Sequence, residues 1–225
     1  INHMVQAVSL QLTEKSLGFF SNKTKDRILT SSLVLFNEDG FNNVTTALIA
    51  KQTGILEGSL WYHFNSKKDI VSMHIKVLEK VFLSANQQIK SKDFETIINE
   101  FFQSYNIIWD FRYILRDNFL KTFEGNESIL KSITEINNYL DKWAENRILH
   151  SFESGLIEIN SKEIENLSEI ILVIGRYWLD FSMKKYPGVN INSLRLKGLK
   201  HIITILNPYL NPTGIPIIKN MLKQY

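Results

Sequence analysis

Thr45-Thr46-Ala47-Leu48-Ile49-Ala50-Lys51-Gln52-Thr53-Gly54-Ile55-Leu56-Glu57-Gly58-Ser59-Leu60-Trp61-Tyr62-His63-Phe64 is the stretch whose reading decides the fold. Thr45 suits the start of a short helix, because its hydroxyl can accept from a backbone N–H that the first turn leaves unused. Gly54 closes that helix after nine residues, glycine being the residue that tolerates the left-handed conformation beyond a helix end. A second short helix is expected from about Glu57 to Phe64. Leu60 and Phe64, with Ile49 and Ala50, are expected to pack the two together. Two short helices around a glycine turn, the second rich in hydroxyl and aromatic groups, form a helix-turn-helix pattern. Its geometry needs a first helix across a phosphate backbone and a second in a major groove.

Working outward, a helix is predicted upstream from Lys23 to Gly40, with Ile28, Leu35 and Phe36 on one face. Downstream, Ser66 caps a long helix from Lys67 to about Lys90, with Ile70, Met73, Val77 and Val81 aligned. Helix breakers are scarce: there are 10 glycines and 4 prolines, and three of the prolines fall at 208, 212 and 216. Apolar residues recur at helical spacing almost throughout, while strict alternation is hard to find. The chain therefore reads as all-α, with about nine or ten helices and breaks near Ser91-Lys92, Gly125-Asn126, Gly155, Asn160-Ser161 and Pro187-Gly188. Three divisions follow: an N-terminal extension over 1–22, a three-helix helix-turn-helix domain over 23–73, and a larger helical domain over 74–225. Ile1, Asn2 and His3 ahead of Met4 look like an expression-vector junction.

Composition removes several classes. With 44% hydrophobic and 22% charged residues, the chain is expected to fold rather than remain disordered. The longest apolar run, Ile170 to Gly175, stops at Arg176, far short of the ~18 residues a membrane span needs. No secretory leader is visible, and no cysteine is present for disulfides or thiolate chemistry. Gly-rich phosphate loops, His-Glu-x-x-His and Gly-x-Ser-x-Gly are missing, and the histidines at 3, 63, 74, 150 and 201 are scattered. No enzyme, metal or cofactor is expected. A net charge of +3 is too small to argue for nucleic acid alone. Residues 23–68 hold six Lys/Arg against four Asp/Glu, so pairing two copies on one duplex is the physical route to adequate phosphate contact.

The pattern Ile28-Leu29, Leu35-Phe36, Gly40-Phe41, Thr45-Thr46, Ile49-Ala50, Gly54-Ile55, Gly58-Ser59-Leu60-Trp61-Tyr62-His63-Phe64, Lys67 and Ile70 closely resembles the DNA-binding domain of the TetR family of bacterial transcriptional regulators. The closing Leu206-Asn207-Pro208-Tyr209-Leu210 and the Trp109–Asp117 segment match one branch of that family more loosely. The resemblance implies that Thr45, Thr46 and Lys67 contact phosphate, and that Ser59, Trp61, Tyr62 and His63 lie at recognition-helix positions touching bases and phosphates. Residue chemistry agrees, since hydroxyls, tyrosine and lysine make phosphate contacts that fix register. Thr45 is also a helix cap, and His63 also suits the close of a helix.

Three departures bear on the DNA sequence recognised. Leu56-Glu57 stands where Ser-Pro is commoner, Trp61 replaces a usual Tyr, and Ala47 offers no long base-reading side chain. Glu57 in the first turn suits the helix dipole, but meets phosphate repulsion if it points at DNA, or accepts from a cytosine amino group.

For the second domain the resemblance implies dimerisation and an effector pocket. Trp109, Arg112, Tyr113, Tyr139, Trp143, Arg147, Tyr177 and Trp178 are the candidate pocket residues, because aromatic side chains with a few arginines make an apolar site with polar anchors. Helical stretches 161–185 and 191–207 are the expected dimer surface, with Leu194, Leu199, Ile202, Ile203 and Leu206 as an apolar stripe. The expected protein is a homodimeric, cytoplasmic, bacterial repressor, released from a palindromic double-stranded DNA operator by a small-molecule effector, with no membrane partner. The competing class is a helical ligand-binding or interaction protein that has lost DNA binding.

Overall fold

Caps and breaks at the helix ends explain most of the architecture of the computed structural model, which describes residues 12–86 and 91–223 apart from the side chains at 84–86, 117 and 118. The first half of the N-terminal extension (1–11) and the expected end of the fourth helix at 87–90 lie outside the described residues. The helices are α1 (Glu14–Leu17), α2 (Thr24–Asp39), α3 (Thr46–Thr53), α4 (Glu57–His63), α5 (Lys67–Asn86), α6 (Phe94–Asp110), α7 (Arg112–Leu115), α8 (Asp117–Thr122), α9 (Glu127–Glu153), α10 (Ile164–Lys185), α11 (Ile191–Leu206) and α12 (Gly214–Leu222). Among the described residues the only β pairing is an isolated antiparallel bridge between Ile157 and Leu210. None of the described helices is long and apolar enough to cross a membrane.

Two compact units divide the chain, one over 1–80 and 106–134, the other over 81–105 and 135–225. The first unit thus takes in 106–134, a segment that the sequence reading places in the second domain. Its core is built from Ile28, Leu29, Leu33 and Phe36 of α2, with Val44, Ile49, Leu60, Phe64 and Ile70 packed on them, all at most 4% exposed. Burying one such side chain fully contributes roughly 1.5–3 kcal/mol, so this cluster is enough to hold short helices that would not persist alone. The described part of the extension is fastened here too. Thr13 caps α1 and its hydroxyl donates to Asp110 Oδ2 at 2.5 Å, while Leu12 and Ser16 are buried.

Between Phe94 and Thr122 the chain is more broken than its apolar periodicity suggests. No glycine or proline marks the interruption at Phe111, yet α6 stops there. Asn37 of α2 accounts for it. Its Nδ2 donates to the Asp110 carbonyl at 2.7 Å, and its Oδ1 accepts from the Tyr113 amide at 3.0 Å. Those backbone groups would otherwise serve the helical ladder, so a side chain from elsewhere satisfies them and frees the chain to turn.

In the second unit, α10 packs along α11 with very little clearance at Gly198. A Cβ there would lie 2.3 Å from Trp178 Cδ1 and 2.4 Å from Tyr105 Oη. Both neighbours are fixed, since Trp178 Nε1 donates to the Leu194 carbonyl at 2.8 Å and Tyr105 Oη to the Arg195 carbonyl at 2.9 Å. Gly198→Ala is therefore expected to destabilise the chain. Overpacking costs about 1–3 kcal/mol, against about 1 kcal/mol of helix propensity gained. A lowered urea midpoint with an unchanged slope is the readout; a raised midpoint would show that the contact relaxes freely.

The expected apolar stripe on α11 mostly faces inward. Leu194, Leu199 and Ile202 are at most 2% exposed, because this face packs against α10 within the same unit. The outward apolar row lies on α10 instead, where Ile170, Val173, Tyr177 and Phe181 are 47%, 62%, 68% and 43% exposed. Their spacing of three or four residues places them along one side of the helix.

Candidate nucleic-acid interface

Helix α3 of the first unit is held by caps at both ends. Thr45 Oγ1 accepts from the Leu48 amide at 3.1 Å, as its position before α3 predicts. At the other end Gly54 takes the left-handed conformation (φ 74°, ψ 38°), and the Ile55 amide reaches back to the Ala50 carbonyl at 3.0 Å. The Arg27 guanidinium on α2 donates to the Thr53 carbonyl, tying the last turn of α3 to the preceding helix. This fixes the angle at which α4 leaves the turn.

Helix α4 is sharply two-sided. Leu60 is fully buried and Phe64 nearly so, whereas Leu56, Glu57, Gly58, Ser59, Trp61 and Tyr62 are exposed. Tyr62 is 87% and Trp61 44% exposed. Large aromatic groups held this far into solvent on a seven-residue helix are not needed by the core. His63 is half-buried, and its ring meets Tyr62 edge-on with centroids 5.1 Å apart. Leu56 occupies the cap position of α4 and supplies no side-chain hydrogen bond, as the departure from Ser-Pro implies.

Two expected contacts have internal duties as well. The Thr46 hydroxyl donates to Glu57 Oε1 at 2.5 Å, joining the first residue of α3 to the first residue of α4. Lys67 Nζ donates to the carbonyls of Phe41 at 2.8 Å and Val44 at 2.6 Å, and lies 4.3 Å from the centre of the Phe41 ring. Partial burial lowers the Lys67 pKa from its usual value. The ammonium thus staples the turn that carries Thr45 onto the start of α5. Sequence reasoning missed this second role, because the partners are main-chain carbonyls that no residue type announces. Ser66 does cap α5, accepting from the Asp69 amide at 3.2 Å.

The eight candidate pocket residues fall in both units. Trp109, Arg112 and Tyr113 belong to the first, where all three are buried and Arg112 Nη1 donates to the Trp109 carbonyl. Tyr139, Trp143, Arg147, Tyr177 and Trp178 belong to the second. There Trp143 stacks on Phe101 at 6.1 Å, Trp178 is fixed on Leu194, and Tyr177 points outward from α10. Arg147 alone of the eight lines a small apolar cavity in the second unit, with Ile97, Phe101, Ile148, Leu206 and Ile218 among its neighbours. That cavity measures about 40 Å³. Arg147 Nη1 donates to Glu100 Oε2 at 2.5 Å; burial lowers its pKa, and the Glu100 hydrogen bond and charge oppose that shift.

A pair of short helices around a left-handed glycine turn, with an outward-facing second member and a long-helix remainder, defines a helix-turn-helix regulator. Residues 28–72 match the family described as bacterial regulatory proteins, tetR family, and residues 76–216 match the TetR bacterial transcriptional repressor family. The chain belongs to the TetR family and is a DNA-binding transcriptional repressor of that family. It is 26% identical over 197 residues to IcaR of Staphylococcus aureus, the negative transcriptional regulator of the biofilm operon icaADBC, covering 83% of this chain and 98% of IcaR. Its likeness to IcaR of Staphylococcus epidermidis is 22% over 192 residues, with the same coverage. Among solved structures, a TetR-family regulator from Marinobacter aquaeolei shares the fold with a TM-score of 0.70, at 24% identity over 90% of this chain and 98% of that one.

Proposed function

We propose that this chain binds a near-palindromic operator as a homodimer, inserting α4 of each subunit into a major groove, and that a small-molecule effector releases it. The observation that carries the reading is the outward presentation of Ser59, Trp61 and Tyr62 on a helix anchored by Leu60 and Phe64. Thr45, Tyr62, His63 and Lys67 hold the phosphates on either side, the Thr46 hydroxyl proton being committed to Glu57, while Glu57, Ser59 and Trp61 face base edges. Two internal carbonyls occupy two of the three Lys67 donors, leaving one N–H and the charge for phosphate. Two such heads would enter successive major grooves about 34–36 Å apart. The exposed α10 row supports the dimer, since apolar patches of this kind on a regulator mark a partner surface. A protein that acts on the chromosome of a bacterium works in the cytoplasm.

For the effector we infer the cavity beside Arg147, whose lining is almost wholly apolar. Ligand pockets occupy roughly 300–1,000 Å³, so an effector must spread this lining as it enters. That displacement is what lets its binding prefer one state of the repressor over another.

Electrophoretic mobility shift with genomic fragments, including the DNA flanking the protein's own gene, tests the reading. A sequence-selective shift that weakens with salt is expected; no selective shift at low salt would overturn it. With the selected operator, Lys67→Met is expected to weaken binding on every sequence and to reduce the slope of log K against log salt by about one per subunit. An unchanged slope would leave Lys67 with its staple role alone.

A further inference from the structure

We propose that Glu57, aimed by Thr46, sets operator preference by accepting a hydrogen bond from the exocyclic amino group of cytosine. The inference rests on the DNA-binding reading above and deepens it. Thr46 Oγ1 donates to Glu57 Oε1 at 2.5 Å, across the turn that separates α3 from α4. Thr46 is half-buried and Glu57 is exposed, so the anchor is sheltered and the carboxylate faces solvent. Among the described residues no cation is paired with Glu57.

On a surface that approaches a polyanion, this pair works against general affinity twice. It adds a negative charge where phosphates converge, and it turns the Thr46 hydroxyl proton away from phosphate and towards Glu57. A contact that discriminates between sequences offsets both losses. The donors that a major groove offers to a carboxylate are the amino groups of cytosine and adenine, and Glu pairs with cytosine N4. Guanine O6 and N7 and thymine O4 are acceptors, so the same carboxylate repels them. Selection then comes from attraction at one base and repulsion at its alternatives.

Two features suit the carboxylate to this role. The Thr46 hydrogen bond holds one oxygen in place, so less side-chain freedom is lost when the other meets a base. Gly58, next in the chain, is exposed, and a Cβ built on it would meet nothing within 4 Å. A base edge can therefore come close beside Glu57. Thr46 acts here as a positioning residue, and Glu57 makes the contact.

The test is selection of bound sequences from a random duplex pool by the full-length wild type, Glu57→Gln and Thr46→Val, followed by titration of each protein on single-base variants of the wild-type site. The wild type is expected to require cytosine at one position per half-site, losing on the order of tenfold in affinity when it is replaced. Glu57→Gln is expected to move that position towards adenine, which Gln recognises through N6 and N7, with other positions unchanged. Thr46→Val is expected to relax the same position. A wild-type requirement for adenine there, relaxed by Thr46→Val, would keep Glu57 as the reader and overturn cytosine as the base. If Glu57→Gln instead raises affinity by one common factor on all sequences, Glu57 only repels phosphate and the inference fails. Wild-type binding without sequence selection would overturn the DNA-binding reading as well, which separates the two failures.

Discussion

Val173→Arg is expected to turn the repressor from a dimer into folded monomers and to lower operator affinity by roughly 10²–10⁴-fold. Val173 is 62% exposed within one subunit, in the middle of the α10 row of Ile170, Val173, Tyr177 and Phe181. An exposed substitution of this kind changes the stability of the isolated subunit by no more than about 0.5 kcal/mol. Its effect on association is much larger. In a two-fold interface the same patch serves both subunits, so one mutation places two arginines in the shared surface. Each is drawn out of water into an apolar patch, a several-kcal/mol penalty per charge. Operator affinity falls when the dimer is lost, because in the dimer the second head binds at the high effective concentration set by the first. Sedimentation equilibrium and operator titration read the two effects separately. A Val173→Arg dimer with wild-type affinity would remove this face of α10 from the interface.

The location of that face shows what sequence can and cannot reveal. Leu194, Leu199 and Ile202 on α11 and Ile170, Val173 and Tyr177 on α10 present comparable apolar rows in sequence. Periodicity shows that a face is apolar, but not whether its partner lies in the same chain. Gly198 decides it: without a side chain, α11 comes close to α10 and its apolar row is consumed there. The helix-turn-helix head was legible almost residue by residue because local chemistry determines it. Thr45 caps, Gly54 turns left-handed, and Leu60 and Phe64 anchor a helix too short to have two apolar faces.

What stayed hidden were side chains acting on distant main chain. Asn37 breaks the helical ladder at the Asp110 carbonyl from 73 residues away, and Lys67 staples the Phe41 and Val44 carbonyls. Asparagine and lysine on a helix normally read as solvated surface, and no spacing rule reports a carbonyl that comes to meet them. The same holds for the aromatic residues taken as pocket candidates. Tyr113 reads as a ligand contact in sequence because it is aromatic and near arginines, whereas its hydroxyl is 2.7 Å from His74 Nδ1 in the buried core of the first unit.

His74 makes that core sensitive to acid. Its Nε2 lies 2.9 Å from the Leu29 carbonyl, which can only accept, so Nε2 carries the proton. Nδ1 is then the acceptor for the Tyr113 hydroxyl. Both ring nitrogens are satisfied in the neutral form, and full burial pulls the His74 pKa down to about 4 from 6.5, a shift the Leu29 hydrogen bond partly opposes. Because the folded pKa is depressed, the unfolded chain binds more protons between pH 6.5 and 4. Stability is therefore unaffected by this group above pH 6.5, falls as pH drops through the window, and has lost roughly 3 kcal/mol below it. His74→Gln cannot take up that proton. It is expected to be less stable than wild type at pH 7, where it gives up well-made hydrogen bonds worth about 1 kcal/mol each. By pH 5 the difference should shift by roughly 2 kcal/mol in favour of the variant. Urea unfolding of both proteins at the two pH values, at one protein concentration, measures it, since other titrating groups are common to both and cancel. A difference independent of pH would mean that His74 titrates alike in the folded and unfolded chain. Because Leu29 and His74 join α2 to α5 in the unit that carries α3 and α4, the same protonation is expected to loosen the frame on which the DNA-reading helix sits.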